Sequence, residues 1–143
     1  MEIRIETSHR DMEALVREIV ATMAKERGVS VTAVRLTLAV TEGRVAAFQV
    51  ACDVRAMIVS ATLTVRGVAV IGDDLTARFE ELVLTGEGMI AGIARTALEP
   101  HLAKLRQEAF PIANVKLPGL RVVDVQLAAG DLVRLTVALA PAD

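Results

Sequence analysis

The sequence predicts an α+β fold. Its expected elements are an N-terminal helix, a four-stranded antiparallel meander, a long kinked helix and a C-terminal hairpin, with the curved sheet wrapped on the helices. Three observations predict it. Met12, Leu15, Val16, Ile19, Val20 and Met23 recur at helical spacing. From Val34 to Phe79 the apolar period is two, interrupted by turn residues. Between Glu87 and Ala109 helical spacing returns around a central Pro100.

Each element has a local cause. Ile3 and Ile5 alternate with charges and suit a short edge strand. Ser8, with Asp11 three positions on, offers a capping-box-like helix start, and Gly28 suits the left-handed stop. Val34, Leu36, Leu38 and Val40 share one strand face, Glu42-Gly43 reverses the chain, and Ala46, Phe48, Val50 and Cys52 return. Asp53 to Arg55 reads as a turn or as a bend within one long strand. Val59, Ala61, Leu63 and Val65 follow, with a bend or bulge expected at Gly67 and a turn at Gly72-Asp73-Asp74. The parity change between Phe79 and Leu82 places a bulge at Glu80-Glu81.

In the second helical region the apolar positions are Ile90, Ile93, Ala94, Ala97, Leu98, Leu102 and Leu105. Pro100 removes a backbone donor there, so a kink or a break at Glu99 is expected. Pro111 and Lys116 to Gly119 make a connection. Val123, Val125 and Leu127, a turn at Ala129 to Asp131, and Val133 to Leu139 form the closing hairpin.

The 143 residues suffice for one domain, 1–143, with a core that needs no staple. Eighteen acids against sixteen bases, mixed along the chain, give no basic block, and nucleic acid is not an expected partner. A single cysteine, Cys52, excludes an intramolecular disulfide and fits a reducing compartment. The charged N-terminus is unlike a signal peptide, so a cytoplasmic protein is expected if Met1 is the native start. No stretch approaches the ~18 uncharged apolar residues of a membrane span.

Candidate chemistry is sparse. Gly86 to Gly92 lies between a strand and a helix, as in a dinucleotide-binding turn, but its spacing is GxGxxxG and its strands read as antiparallel. A flexible strand-to-helix joint is the simpler reading. His9 and His101 have no positioned partner, since Glu99 and His101, two apart, do not face each other on a helix. Two histidines and one cysteine give no metal-ligand spacing. No enzyme, cofactor or metal is expected.

The remaining feature is the apolar interior. Hydrophobic residues make up 53% of the chain, yet it has three Phe, no Tyr and no Trp. A core short of large aromatics is either packed solid from branched aliphatics or leaves space for an apolar ligand.

The order helix, meander, proline-containing helix and hairpin resembles the tubular lipid-binding (TULIP) superfamily. That group includes bactericidal/permeability-increasing-like domains, synaptotagmin-like mitochondrial lipid-binding domains and small bacterial relatives. The likeness is most evident in Val31 to Val70, in Gly88 to Leu105, and in Leu117-Pro118-Gly119-Leu120 leading into Val122 to Val125. Its charged start is unlike the leader that many bacterial relatives carry, and its single cysteine does not allow the intramolecular disulfides of the secreted animal members.

The resemblance implies non-enzymatic binding of a lipid or other long apolar ligand in a seam between sheet and long helix. The residues implied to line that seam are Leu36, Leu38, Phe48, Val50, Leu63, Val65, Ile90, Ile93 and Leu98. Expected partners are thus a lipid or apolar small molecule, with a second copy of the chain and a transient membrane-surface contact also considered. The alternative is a homodimeric interaction domain with a solid core and no ligand.

Overall fold

The computed structural model describes residues 1–88, 91–111 and 118–142, with side chains throughout except those of Thr41, Glu42, Ile93, Ala94 and Ala97. In chain order the elements are β1 (Glu2–Ser8), α1 (His9–Lys25), β2 (Ser30–Glu42), β3 (Val45–Ala56), β4 (Val59–Ile71), β5 (Thr76–Glu87), α2 (Ala91–Gln107), β6 (Phe110–Pro111), β7 (Leu120–Ala129) and β8 (Leu132–Pro141). They build two antiparallel sheets, β2-β3-β4-β5-β6 and β1-β8-β7.

This architecture corrects the expected one. The protein is mostly sheet and is not a single four-stranded meander wrapped on helices. The five-stranded sheet gains β6 beside the start of β5, where Thr76 and Ala77 pair with Pro111 and Phe110. The N-terminal strand and the closing hairpin form a sheet of their own, with Ile3 opposite Val137 and Val125 opposite Val137 from the other side. Pairing between the two ends of the chain leaves no local trace in the sequence, which is why periodicity assigned the strands without partitioning them.

The long kinked helix is also corrected. α2 has 17 residues, the same length as α1, because β5 continues through Glu87 and the helix starts only at Ala91. It runs unbroken across Pro100. The proline deprives the carbonyl of Thr96 of its helical donor, but Thr96 and Pro100 are both exposed, so water can take the place of the missing N–H.

Other features follow the sequence closely. The Ser8 hydroxyl accepts from the Asp11 N–H at 3.0 Å, capping α1, and Gly28 adopts φ 70° after it. The parity change in β5 is a bulge: register shifts between Arg66 and Val68, opposite Glu81 at φ 55°. The β3–β4 turn falls at Met57-Ile58, with Ala56 opposite Val59, so β3 runs on through Asp53–Arg55 and the turn starts two residues after Arg55.

Two apolar clusters result. One lies between the five-stranded sheet and the helices, around Val34, Cys52, Val54, Leu63, Leu84 and Leu102. The other lies where the three-stranded sheet meets the β4–β5 end, around Ile71, Leu75, Val125, Leu135, Val137 and Leu139. The sheets are also tied by the Leu127 N–H, which donates to the carbonyl of Gly43. Among the described residues no polar or charged side chain is buried.

Candidate functional site: an aliphatic groove between the helices

The five-stranded sheet turns its apolar parity toward the helices, but the helices do not meet over its middle. α1 packs along β2 at one edge, and α2 packs mainly on β5 toward the other. Charged side chains hold them there. Glu13 of α1 accepts from the Leu36 N–H at 2.9 Å, and Arg17 donates to the Thr32 carbonyl at 3.3 Å. On the other side Arg106 of α2 donates to the Leu82 carbonyl at 3.0 Å while its other guanidinium nitrogen holds Glu99 at 2.7 Å. Each helix therefore satisfies backbone groups that a bare sheet edge would leave unpaired.

What is left between them is a groove of about 530 Å³ over β3 and β4. Its floor is Leu36 and Leu38 of β2, Phe48 and Val50 of β3, and Leu63 and Val65 of β4. Met12, Val16, Ile19, Val20 and Met23 form the α1 wall, and Leu98, Leu102 and Leu105 the α2 wall. Leu127, Ala129 and Val133 of the second sheet line one end. Arg27 and Val29, next to the end of α1, line the other. The lining extends along the chain from Val29, just before β2, to Val40, which in extended backbone spans roughly 35 Å.

Seven residues anticipated for an apolar seam thus stand together: Leu36, Leu38, Phe48, Val50, Leu63, Val65 and Leu98. Ile90 lies outside the described residues, as does the side chain of Ile93. The α1 wall was not anticipated, because an apolar helical stripe reads as core. In fact no residue of α1 is buried, and Leu15 and Ile19 are 60% and 53% exposed.

The lining is almost purely apolar. Among the described residues that face the groove, only Arg27 and His101 carry a polar head. Cys52 also faces it, and burial, with some help from neighbouring Asp53, pushes its thiol up to about 11, so it behaves as a small hydrophobe. All three phenylalanines gather at one point: Phe48 and Phe79 meet edge to face at 5.7 Å, and Phe79 and Phe110 are 5.9 Å apart. The Phe48 ring lies over Gly67, its partner across the β3–β4 ladder. A Cβ at Gly67 would come within 3.0 Å of that ring and 2.7 Å of Leu82.

The remaining candidates have structural roles. Gly86 lets α2 approach the sheet, since a Cβ there would lie 2.9 Å from both Ala91 and Leu63. Gly88, at φ 113°, sits against the Ser60 carbonyl. Glu99 pairs with Arg106 and not with His101, while His9 Nε2 stands 3.8 Å from Glu13. Among the described residues no group of three or more His, Cys, Asp or Glu could hold a metal ion.

A second, shallower depression of about 580 Å³ lies on the sheet's other face, lined by Thr32, Asp53, Arg55, Thr62 and Glu87 among others. Its central carboxylate is already engaged. Arg35 grips Asp53 with two bonds of 2.9 and 3.2 Å, and the Thr62 hydroxyl donates to it at 3.0 Å. Those hydrogen bonds hold the Asp53 carboxyl below its ordinary range, and the aspartate in turn raises Arg35.

Among the described residues no helix is long and apolar enough to cross a membrane. Comparison with protein-family models, curated proteins and solved structures returns no match.

Proposed function

We propose that the protein binds a lipid or another long apolar molecule in the groove between α1 and α2, without catalysing a reaction. The observation that carries this reading is the attachment of the helices to opposite edges of the sheet. Glu13, Arg17 and Arg106 hold them there, so Phe48, Val50 and Val65 of β3 and β4 stay only half-buried where an ordinary core would close over them. Exposing that surface to water is unfavourable at about 25 cal/mol per Å², and a flexible chain covers it without needing polar partners. The volume falls within the roughly 300–1,000 Å³ of ordinary ligand pockets.

Arg27 gives the groove a direction. Its guanidinium suits a carboxylate or phosphate head at that end, with the tail running toward Val133. The reading rests on groove chemistry and not on kinship with tubular lipid-binding proteins. The cytoplasm is the proposed compartment, on the single unpaired Cys52.

Titration of the purified protein with a fluorescent long-chain fatty acid should show saturable uptake that oleate competes away. Leu38→Trp should reduce uptake while leaving the melting temperature nearly unchanged, because the added ring enters open space. Arg27→Ala should weaken the fatty acid more than the matching alcohol. Absence of saturable uptake, or a Leu38→Trp protein that binds normally, would refute the proposal.

A second reading, a homodimeric interaction domain, is favoured by Leu15 of α1, which is 60% exposed and lies outside the groove lining. A stable dimer that takes up no probe would select it.

A further inference from the structure

Among the described residues four hairpin turns reverse the two sheets, and three contain Gly or Asp. In one of these Leu75 also enters the left-handed region, at φ 59°, but its side chain is buried in the second cluster. Gly43-Arg44 joins β2 to β3, Gly72 to Leu75 joins β4 to β5, and Gly130-Asp131 lies between β7 and β8. The fourth, between β3 and β4, is Met57-Ile58. Two-residue hairpin loops favour Gly, Asn or Asp because their backbone enters the left-handed region. Met57 enters it, at φ 55°, with an unbranched but bulky side chain.

This apex is also the most water-exposed apolar site described, with Met57 93% and Ile58 88% exposed. Backbone strain and exposed hydrophobic surface both oppose folding here, and the rest of the chain covers neither side chain. Arg55 braces the turn, its Nε donating to the Met57 carbonyl at 3.0 Å.

The position of the apex matters as much as its composition. Arg55 is the ladder partner of Ser30, so the β3–β4 turn projects from the end of the sheet where α1 finishes and Arg27 and Val29 line the groove. Lys25, Arg27 and Arg55 are all exposed at that end, beside Glu26 and Glu87.

We propose that Met57 and Ile58 form a wedge that enters the outer layer of a lipid bilayer and brings the Arg27 end of the groove to the membrane surface. The proposal builds on the groove-binding reading and adds the partner from which the ligand is drawn. Two residues present far less than the roughly 800 Å² per partner of a stable protein interface. A bilayer needs no matching surface: apolar side chains enter the acyl boundary while a nearby arginine reaches the phosphates. The apex is therefore sized for a reversible membrane contact.

The test is flotation with vesicles of phosphatidylcholine, with and without phosphatidylserine, comparing the wild-type chain with the double variant M57G/I58S. Glycine and serine suit this turn, so the variant should fold with an equal or higher melting temperature. The wild type should float with one or both vesicle types, and the variant should bind about tenfold or more weakly. Uptake of a soluble fluorescent fatty acid, measured without vesicles, should be the same in both.

Failure of the wild type to float, equal flotation of the variant, or a concentration-dependent dimer that the variant abolishes would overturn the wedge. Loss of fatty-acid uptake in both proteins, with turn-dependent flotation retained, would instead overturn the groove reading and leave the wedge standing.

Discussion

The two apolar clusters are built from the same few side chains, yet one is closed and the other open. Between the sheets, Val125 and Val137 are 1% and 0% exposed, and Leu135 and Leu139 are buried around them. Beneath the helices Leu63, Leu84 and Leu102 are buried too, but Val50, Val65 and Leu98, which pack against them, are only half-buried. Sheet faces at about 10 Å interdigitate along their whole length. Two helices fixed to opposite edges cannot do so. The difference lies in where the covering layer is anchored and not in the hydrophobicity of what it covers.

Truncation should expose the contrast most strongly. Leu135→Ala opens a void in the closed cluster and should cost about 2–5 kcal/mol in urea unfolding. Leu38→Ala, on a wall already facing space, should cost roughly half of that or less, since it creates no new void. Equal losses would mean that the groove is in effect a filled core.

Gly67→Ala sharpens the comparison at a place where the groove floor is tight. The new methyl meets Phe48, Leu82 and the Glu80 carbonyl, so a loss of about 1–3 kcal/mol is expected, read by the same unfolding measurement. A neutral result would show the phenylalanine cluster to be loosely seated.

The smallest expected effect lies on the outer face. Asp53 is held below its ordinary value of 3.8, chiefly by the Arg35 hydrogen bonds. A lowered carboxylate contributes stability that is present above its unfolded value and is lost as pH falls through the folded one. Asp53→Asn should therefore melt slightly earlier than wild type at neutral pH. The gap should close in acid, once the wild-type carboxylate is protonated. A gap that is constant with pH would remove the ion pair as its cause.

What could be read from the sequence was what is local. The α1 stripe, its Ser8 cap and the strand parities place most of the groove-facing residues on the correct faces. Asp53–Arg55 could be read as a turn or as a bend within one long strand; β3 runs on through these residues, and the turn itself at Met57-Ile58 carries no signal because both residues are large and apolar. The second sheet escaped detection because Ile3 finds Val137 only in three dimensions. The groove's openness depends on Glu13, Arg17 and Arg106, and on an amphipathic helix such residues look like any solvated charge. His101 likewise gave no sign that it would stand on an apolar wall.

The three-stranded sheet joins the first strand of the chain to the last, with Ile5 opposite Leu135 and Thr7 opposite Val133. During synthesis on the ribosome the closed cluster must therefore wait for the final hairpin to emerge. The five-stranded sheet, whose main pairings join neighbours in sequence, is free to assemble well before. For that interval the emerging chain carries its aliphatic floor without Leu127 and Val133 to close the far end. The far end of the groove is thus the last part of the molecule to form.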